Sequence, residues 1–270
     1  EEGLMPMVRA GFAVVAPDYH GLGTDGAHQY VSKTAQSYDV VYAVPAAQKA
    51  VPGLDPRWVV DGHSQGGLAA WAVAELEHQR RDAGFIGAVA VAPATRLSEV
   101  LAQGPSKGAG FYVDYLAWAV AALSPGFDPS QVLTGAALTR YPSLTRDGCF
   151  YYALASFQDD PAPPAMKPGW NDTPAAQRFF AESMVGAPVG APLLVVAGDA
   201  DQAVPLAAVR ASSRAACKAG AKLQLKVYPG LDHDPTMENS TPDQLAWIHA
   251  RFDGQPAGDD CAKVLAEPVG

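Results

Sequence analysis

The chain reads Val59-Val-Asp-Gly-His-Ser64-Gln-Gly-Gly67, which contains the pattern Gly-x-Ser-x-Gly. Two β-branched residues lead into the pattern, and an apolar, alanine-rich segment with helical spacing follows from Leu68. A strand, a sharp turn with serine at its apex and a helix together form the context in which this pattern presents a nucleophile. A glycine-rich turn with an incidental serine is the alternative, and the flanking segments disfavour it. The stretch therefore predicts acyl transfer through Ser64.

The glycines around Ser64 predict how the turn is built. A side chain at Gly62 or Gly66 is expected to collide with the neighbouring strand or helix, which glycine avoids because it lacks a Cβ atom. Gly67 is expected to let the helix pack closely on the strand. The turn also directs the backbone N–H of Gln65 at the reacting centre, where it would stabilise a developing oxyanion.

Length and composition narrow the class of protein. The 270 residues suffice for one large α/β domain or for a core with a cap, and 49% of them are hydrophobic. A net charge of −9 argues against nucleic acid and against an anionic membrane surface as partners. No apolar run approaches the roughly 20 residues that a membrane-spanning helix needs.

Apolar segments alternate with helical patterns along the chain. We expect the end of a helix at residues 4–9, and further helices at 36–50, 68–80 and 244–252. Short apolar runs predict buried strands at residues 12–17, 58–61, 87–92, 193–197 and 223–228. This alternation predicts an α/β fold with a mostly parallel sheet and helices on both faces.

A long insertion separates the third and fourth predicted strands. We expect residues 1–93 and 192–270 to form the core, and residues 94–191 to form a helical cap over the carboxyl edge of the sheet. The insertion contains a segment with helical spacing, rich in aromatic residues, near 111–119 and a proline-rich stretch at 160–168. Most of these aromatic residues are expected to form the cap's own core.

A serine nucleophile needs a base, and the base needs an orienting carboxylate. The loop after the fourth predicted strand contains Asp199 and Asp201, and the loop after the fifth contains His233. Asp201 is preferred as the acid because it fits the spacing Gly-x-x-Asp-x-x-Val-Pro. His78 and His249 lie within helical patterns and suit the role of base less well. Asp232 and Asp234, which flank His233, are interpreted as solvated loop charges or helix caps.

Two other features carry weaker signals. Residues 21–26 match Gly-x-Gly-x-x-Gly, but the first glycine does not end a strand and no helix is predicted to open at the third, which disfavours nucleotide binding. The three cysteines show no metal spacing and nucleotide binding is disfavoured, so no metal and no cofactor are expected. They are either free thiols or one disulfide and one thiol, with Cys217–Cys261 the preferred pair.

With Ser64, Asp201 and His233 placed, the chain resembles the α/β-hydrolase superfamily. Residues 11–23 and 62–67 are similar to those of the secretory lipase family, exported carboxylester hydrolases with a helical cap that act on acylglycerols and simpler esters. The resemblance implies three strands before residues 12–17, so the N-terminal strands are expected to be missing here. It also implies a second oxyanion donor at the N–H of Asp18.

The leading hypothesis is therefore a serine esterase or lipase, with a small-molecule or lipid ester as substrate and a secreted or periplasmic location. A peptidase or an acyltransferase would keep the same nucleophile and change the bond or the acceptor. A non-catalytic binding protein on the same scaffold is the third alternative, and the complete set of Ser64, Asp201 and His233 argues against it.

Overall fold

The computed structural model describes residues 3–102, 111–144, 146–147, 150–157 and 166–268. The chain divides into two compact units. The first, here called the sheet unit, comprises Glu1–Asp18, Lys33–Arg96 and Met184–Gly270. The second, here called the helical unit, comprises Tyr19–Ser32 and Leu97–Ser183.

The sheet unit is built on four parallel strands whose order in space follows their order in the chain. They are β1 (Trp58–His63), β2 (Phe85–Val91), β3 (Leu193–Gly198) and β4 (Leu223–Tyr228). This confirms the predicted α/β class and the parallel sheet. Because the strands are parallel, the loops that follow β1, β3 and β4 emerge at the same carboxyl edge.

Helices complete both units. In chain order they are α1 (Met5–Arg9), α2 (Lys33–Ala50), α3 (Gln65–Arg80), α4 (Leu97–Ala102), α5 (Phe111–Leu123), α6 (Gly135–Leu144), α7 (Phe150–Phe157), α8 (Pro174–Glu182), α9 (Leu206–Lys218), α10 (His233–Phe252) and α11 (Cys261–Ala266). Within the described residues, none of these helices has the length and apolar character needed to cross a membrane.

The core of the sheet unit covers both faces of the two central strands. On one face, side chains of β2 and β3 pack against Trp247 and Ile248 of α10. The residues that alternate with them, such as Ala90 and Val195, are fully buried as well. Helix α3 packs on β1 and β2, and α9 packs on β3 and β4. Burial on both faces explains why these strands are continuously apolar in sequence.

The prediction of a strand at residues 12–17 is wrong. The segment is extended but pairs with no strand among the described residues, and Val14 and Val15 are 40% and 46% exposed. Phe12 alone packs on the core, with its ring 4.7 Å from that of His249 and 5.4 Å from that of Phe252. An apolar run becomes a strand only where a neighbouring strand satisfies its backbone groups.

The helix predicted at residues 244–252 begins much earlier, at His233. Pro242 lies inside α10 and interrupts the sequence pattern, which made the helix seem to start after it. The side chain of Asp232 caps the new start by accepting a hydrogen bond from the N–H of His233. His233, the predicted base, is therefore the first residue of a 20-residue helix rather than part of an open loop.

The helical unit contains the predicted aromatic helix, α5, whose Phe111 packs with Leu144, Ala153 and Phe157. A further aromatic contact joins Tyr30 to α5, since its ring lies 5.7 Å from that of Tyr115. These contacts lie within the unit, as the sequence analysis expected for most of its aromatic residues. Residues 160–165 of the predicted proline-rich stretch lie outside the described residues.

One buried carboxylate in the helical unit has no evident role in the fold. Asp114 of α5 is 0% exposed, and neither of its oxygens has a hydrogen-bond partner among the described residues. Burial raises the pKa of Asp114 to about 8, against the opposing effect of Arg140. At neutral pH the protonated form therefore prevails, which avoids an uncompensated buried charge.

A disulfide joins Cys217, in the last turn of α9, to Cys261, the first residue of α11. This confirms the preferred pairing and rules out three free thiols; Cys149 lies outside the described residues. The bond closes a loop with a sequence separation of 44 residues that includes β4 and α10. The crosslink therefore restrains the unfolded form of the segment that carries His233.

We expect the double variant Cys217→Ser/Cys261→Ser to lose about 4 kcal/mol of unfolding free energy, because a crosslink of this length removes that much loop entropy from the unfolded chain. Urea denaturation with and without a reducing agent measures the loss. Reduction should destabilise the native protein and leave the double variant unchanged. An equal response of both proteins to reduction would contradict the pairing.

Candidate active site

Ser64 stands between β1 and α3 in a backbone conformation that side chains rarely adopt, with φ 58° and ψ −114°. Two hydrogen bonds, one to the last residue of β2 and one to the chain just after it, hold it there. The N–H of Ser64 donates to the carbonyl of Val91 at 2.9 Å, and its carbonyl accepts from the N–H of Ala94 at 3.0 Å. The strained turn is thus fastened to the neighbouring strand, which is how such a conformation persists.

The glycines of the turn have different roles. A Cβ atom on Gly62 would collide with the backbone of Gly66, lying 2.9 Å from its Cα. On Gly67 it would lie 2.6 Å from the carbonyl oxygen of Val91 and 2.9 Å from Cα of Pro93. On Gly66 it would meet nothing within 4 Å. The predicted collision is therefore confirmed at Gly62 and wrong at Gly66. The backbone of Gly66 is what a side chain at Gly62 would strike.

Asp201 and His233, the predicted acid and base, lie in contact at the carboxyl edge of the sheet. Oδ2 of Asp201 accepts a hydrogen bond from Nδ1 of His233 at 2.7 Å. The side chain of Asp201 is 1% exposed, and its other oxygen accepts from the N–H groups of Ala203 and Val204 at 2.8 and 2.7 Å. A carboxylate only accepts, so the proton of His233 resides on Nδ1 and the lone pair on Nε2.

Two further carboxylates join the loops that carry the acid and the base. Oδ1 of Asp232 accepts from the N–H of His233 at 2.8 Å and from that of Gln202 at 2.9 Å. Oδ1 of Asp199 accepts from the N–H of Gly230 at 2.6 Å. Asp199, the alternative acid, is thus engaged by the base loop at a position three residues from His233. The capping role considered for Asp232 is confirmed, and it extends to the acid loop.

The two loops also approach each other through their backbones. The N–H of Ala200 donates to the carbonyl of Leu231 at 3.2 Å. A Cβ atom on Gly198, at the end of β3, would overlap that same carbonyl and the hydroxyl of Thr236. Glycine is required at this position because the base loop passes directly over it.

His63 contacts the base and was not singled out by the sequence. Its ring centroid lies 4.5 Å from that of His233, and its Nε2 donates to the carbonyl of His233 at 3.3 Å. Burial, together with the neighbouring His233, lowers the pKa of His63 to about 4, so its ring is neutral at pH 7. The 170 residues between the two histidines explain why no local pattern revealed the contact.

The expected oxyanion donors occupy different surroundings. Gln65 is the first residue of α3, and the dipole of the helix favours negative charge at this N-terminus. Asp18 is exposed at the end of the extended segment that follows Phe12. The structure therefore places Gln65 beside Ser64 in the chain and at a helix N-terminus, whereas the role of Asp18 stays a prediction.

The glycine-rich stretch at residues 21–26 forms turns in the helical unit. No helix begins at Gly26, and Asp39 lies within α2. Gly21 has a φ of 80°, and a Cβ atom there would overlap the backbone of His28. A tight turn accounts for this glycine without a nucleotide.

The glycines supply a test of the turn by stability alone. Gly66→Ala should leave the unfolding free energy unchanged or raise it by up to about 1 kcal/mol, because alanine favours the helix that begins at Gln65. Gly62→Ala and Gly67→Ala should each be strongly destabilising, because their Cβ atoms would overlap backbone. Thermal and chemical denaturation of the three variants measure this, and similar losses in all three would contradict the geometry.

Comparison with known proteins places this site in a family. Residues 3–260 match the model of the secretory lipase family. A hydrolase structure from Legionella pneumophila is similar over 94% of this chain and 74% of its own, with 17% identity and a TM-score of 0.81. The rice cell wall degrading esterase LipA from Xanthomonas oryzae covers 88% of this chain and 71% of its own, with 15% identity and a TM-score of 0.66.

Candida antarctica lipase A is similar as well, with 15% identity and a TM-score of 0.74. This alignment covers 96% of the present chain and 63% of that lipase. At such low identities the structural matches establish the fold, and the family match over nearly the whole chain establishes kinship. The chain belongs to the secretory lipase family of carboxylic ester hydrolases and has the α/β-hydrolase fold.

Proposed function

We propose that this protein is a serine carboxylester hydrolase that cleaves acyl esters through an acyl-enzyme on Ser64. The observation that carries the proposal is the 2.7 Å hydrogen bond between Asp201 and His233, together with the φ of 58° at Ser64. The ring of His63, the residue before Ser64, lies against the ring of His233. These contacts bring the base to the turn that presents the nucleophile.

The mechanism follows from the tautomer of His233. Nε2 of His233 takes the proton of Ser64 as Oγ bonds to the ester carbonyl carbon, and then returns it to the departing alcohol. Water attacks the acyl-enzyme with His233 again as base, which releases the acid and restores Ser64. Asp201 holds the imidazole in this tautomer and stabilises the imidazolium. Proton transfer by a positioned base such as His233 raises the rate about 10²–10⁴-fold.

The oxyanion of each tetrahedral intermediate needs preorganised donors. The N–H of Gln65 supplies one, at the N-terminus of α3, and a single such donor is worth roughly 3–4 kcal/mol. We assign the second to the N–H of Asp18, by analogy with the family. Family membership and the Cys217–Cys261 disulfide also support export to an oxidising compartment.

The helical unit is the proposed cap. The exposed aromatic residues of this unit, Phe150, Tyr151 and Tyr152 of α7, support an apolar acyl group as the preferred substrate portion, because apolar chains are bound by aromatic and aliphatic surfaces. Rates that fell steadily from acetate to butyrate to octanoate esters would contradict this preference. A p-nitrophenyl ester series compared with an aminoacyl-nitroanilide separates ester from amide hydrolysis.

A fluorophosphonate probe tests nucleophile and function together. We expect covalent labelling at Ser64, located by peptide mass spectrometry, and hydrolysis of p-nitrophenyl esters by the same preparation. Ser64→Ala should abolish labelling and lower kcat by about 10⁴-fold or more, because the nucleophile is removed. Ser156→Ala, on α7, serves as the matched control. A label on another serine, or full activity in Ser64→Ala, would overturn the assignment.

Asp232 is expected to position the base. Asp232→Ala removes the acceptor of two N–H groups, one on each loop, and should lower kcat by about 10–100-fold with little change in KM, because catalysis is sensitive to small misplacements. Asp232→Asn keeps an acceptor oxygen and should recover most of the rate. Steady-state kinetics on one ester measures both parameters.

The control for Asp232 is Asp55→Ala. Asp55 likewise accepts a hydrogen bond from a nearby backbone N–H, that of Arg57, but it precedes β1 at the opposite edge of the sheet. Its loss should leave kcat unchanged. Equal kinetic effects of Asp55→Ala and Asp232→Ala, or no rescue by Asp232→Asn, would reduce Asp232 to a general contribution to stability.

A further inference from the structure

A cluster of metal-ligating side chains lies at the base itself. One potential ligand atom from each of His63, His233 and Asp234 lies within 4.8 Å of the other two. Two imidazoles and a carboxylate form a donor set that suits zinc, which takes three protein ligands and one water where a fourth position stays open. From this geometry we infer a site at which Zn²⁺ binds and reversibly blocks the base.

The outer hydrogen bonds of both rings support this inference. Zinc-bound histidines usually donate the N–H of their second nitrogen to a carboxylate or a backbone carbonyl, which fixes the ring and its tautomer. Nδ1 of His233 donates to Asp201, and Nε2 of His63 donates to the carbonyl of His233. Each ring therefore has one nitrogen held by an acceptor, and the site that we infer uses the second nitrogen of each ring, which carries the lone pair.

Charge and access favour a dication at this place. The carboxylates of Asp234 and Asp201 supply two negative charges beside two imidazoles, so a divalent ion is neutralised locally. His63 and His233 are partly buried and Asp234 is exposed, which leaves the cluster open to solvent. Tetrahedral ligand atoms of zinc lie about 3.4 Å apart, so the three ligand atoms need to approach one another by roughly 1 Å. Rotation of the exposed side chain of Asp234 can provide most of this movement.

Zinc on His233 would stop the proposed reaction. The lone pair that coordinates the metal is the one that takes the proton from Ser64, so the two events exclude each other. This consequence rests on the proposed function, whereas the binding site itself does not. Removal of the metal restores the lone pair, so inhibition is reversible.

Isothermal titration of metal-free protein with zinc chloride tests the site directly. We expect one zinc ion per chain, with affinity at least tenfold weaker in His63→Gln and measurably weaker in Asp234→Asn. His78→Gln is the matched control, because His78 is exposed near the end of α3, outside this cluster. Thermal denaturation with zinc should show a rise in Tm for native protein that His63→Gln loses. Equal zinc affinity in native protein, His63→Gln and Asp234→Asn would overturn the inference.

An activity measurement separates this inference from the proposed function. Micromolar zinc should inhibit hydrolysis of a p-nitrophenyl ester, a chelator should restore the rate, and Asp234→Asn should need several-fold more zinc for the same inhibition. Zinc binding that depends on His63 in a protein without esterase activity would support the site and refute the function. Active enzyme that neither binds zinc nor is inhibited by it would refute the site and leave the function standing.

Discussion

The backbone conformation of Ser64 depends on an interaction outside its own turn. A backbone conformation with φ 58° and ψ −114° destabilises the chain by on the order of 1–3 kcal/mol. Neither β1 nor α3 alone provides interactions that offset this free energy. The register of β1 against β2 pairs His63 with Val91, which puts the Val91 carbonyl beside the N–H of Ser64. The proposed nucleophile is therefore positioned by the pairing of two strands. This explains why the glycine that packs α3 against the end of β2, Gly67, has no room for a side chain.

The acid and base impose a second constraint, since they belong to different loops. A 2.7 Å contact between Asp201 and His233 persists only if both loops are fixed relative to each other. Asp199 and Asp232 achieve this by accepting N–H groups from the opposite loop, and Gly198 allows the base loop to pass close to β3. Such hydrogen bonds between the loops order backbone that would otherwise be free. The loss of backbone entropy that they offset is the main free-energy cost of building a site from loops.

The sequence predicted those parts of the site whose chemistry is local. The serine turn combines a motif with its flanking elements, and Asp201 and His233 each follow a strand whose apolar run was plain. Residues 12–17 were predicted as a strand because their side chains are apolar. An apolar run indicates a buried environment, but it does not indicate whether a neighbouring strand is present to pair with it. Helix α10 was predicted too short because Pro242 breaks the pattern, although the helix capped by Asp232 begins at His233, eleven residues before the predicted start. The contact of His63 with His233 joins elements 170 residues apart, which no pattern in one sequence encodes.

The position of His63 illustrates how a variable place in a motif becomes constrained by tertiary structure. The proposed mechanism forms an imidazolium at His233, which Asp201 stabilises from the Nδ1 side. A second positive charge on the adjacent ring would oppose that step, because the ring centroids are only 4.5 Å apart. Burial lowers the pKa of His63 to about 4 and keeps the ring neutral at pH 7. The neutral ring of His63 can then contact the ring of His233 and donate to its backbone carbonyl. It adds no positive charge beside the imidazolium that Asp201 stabilises.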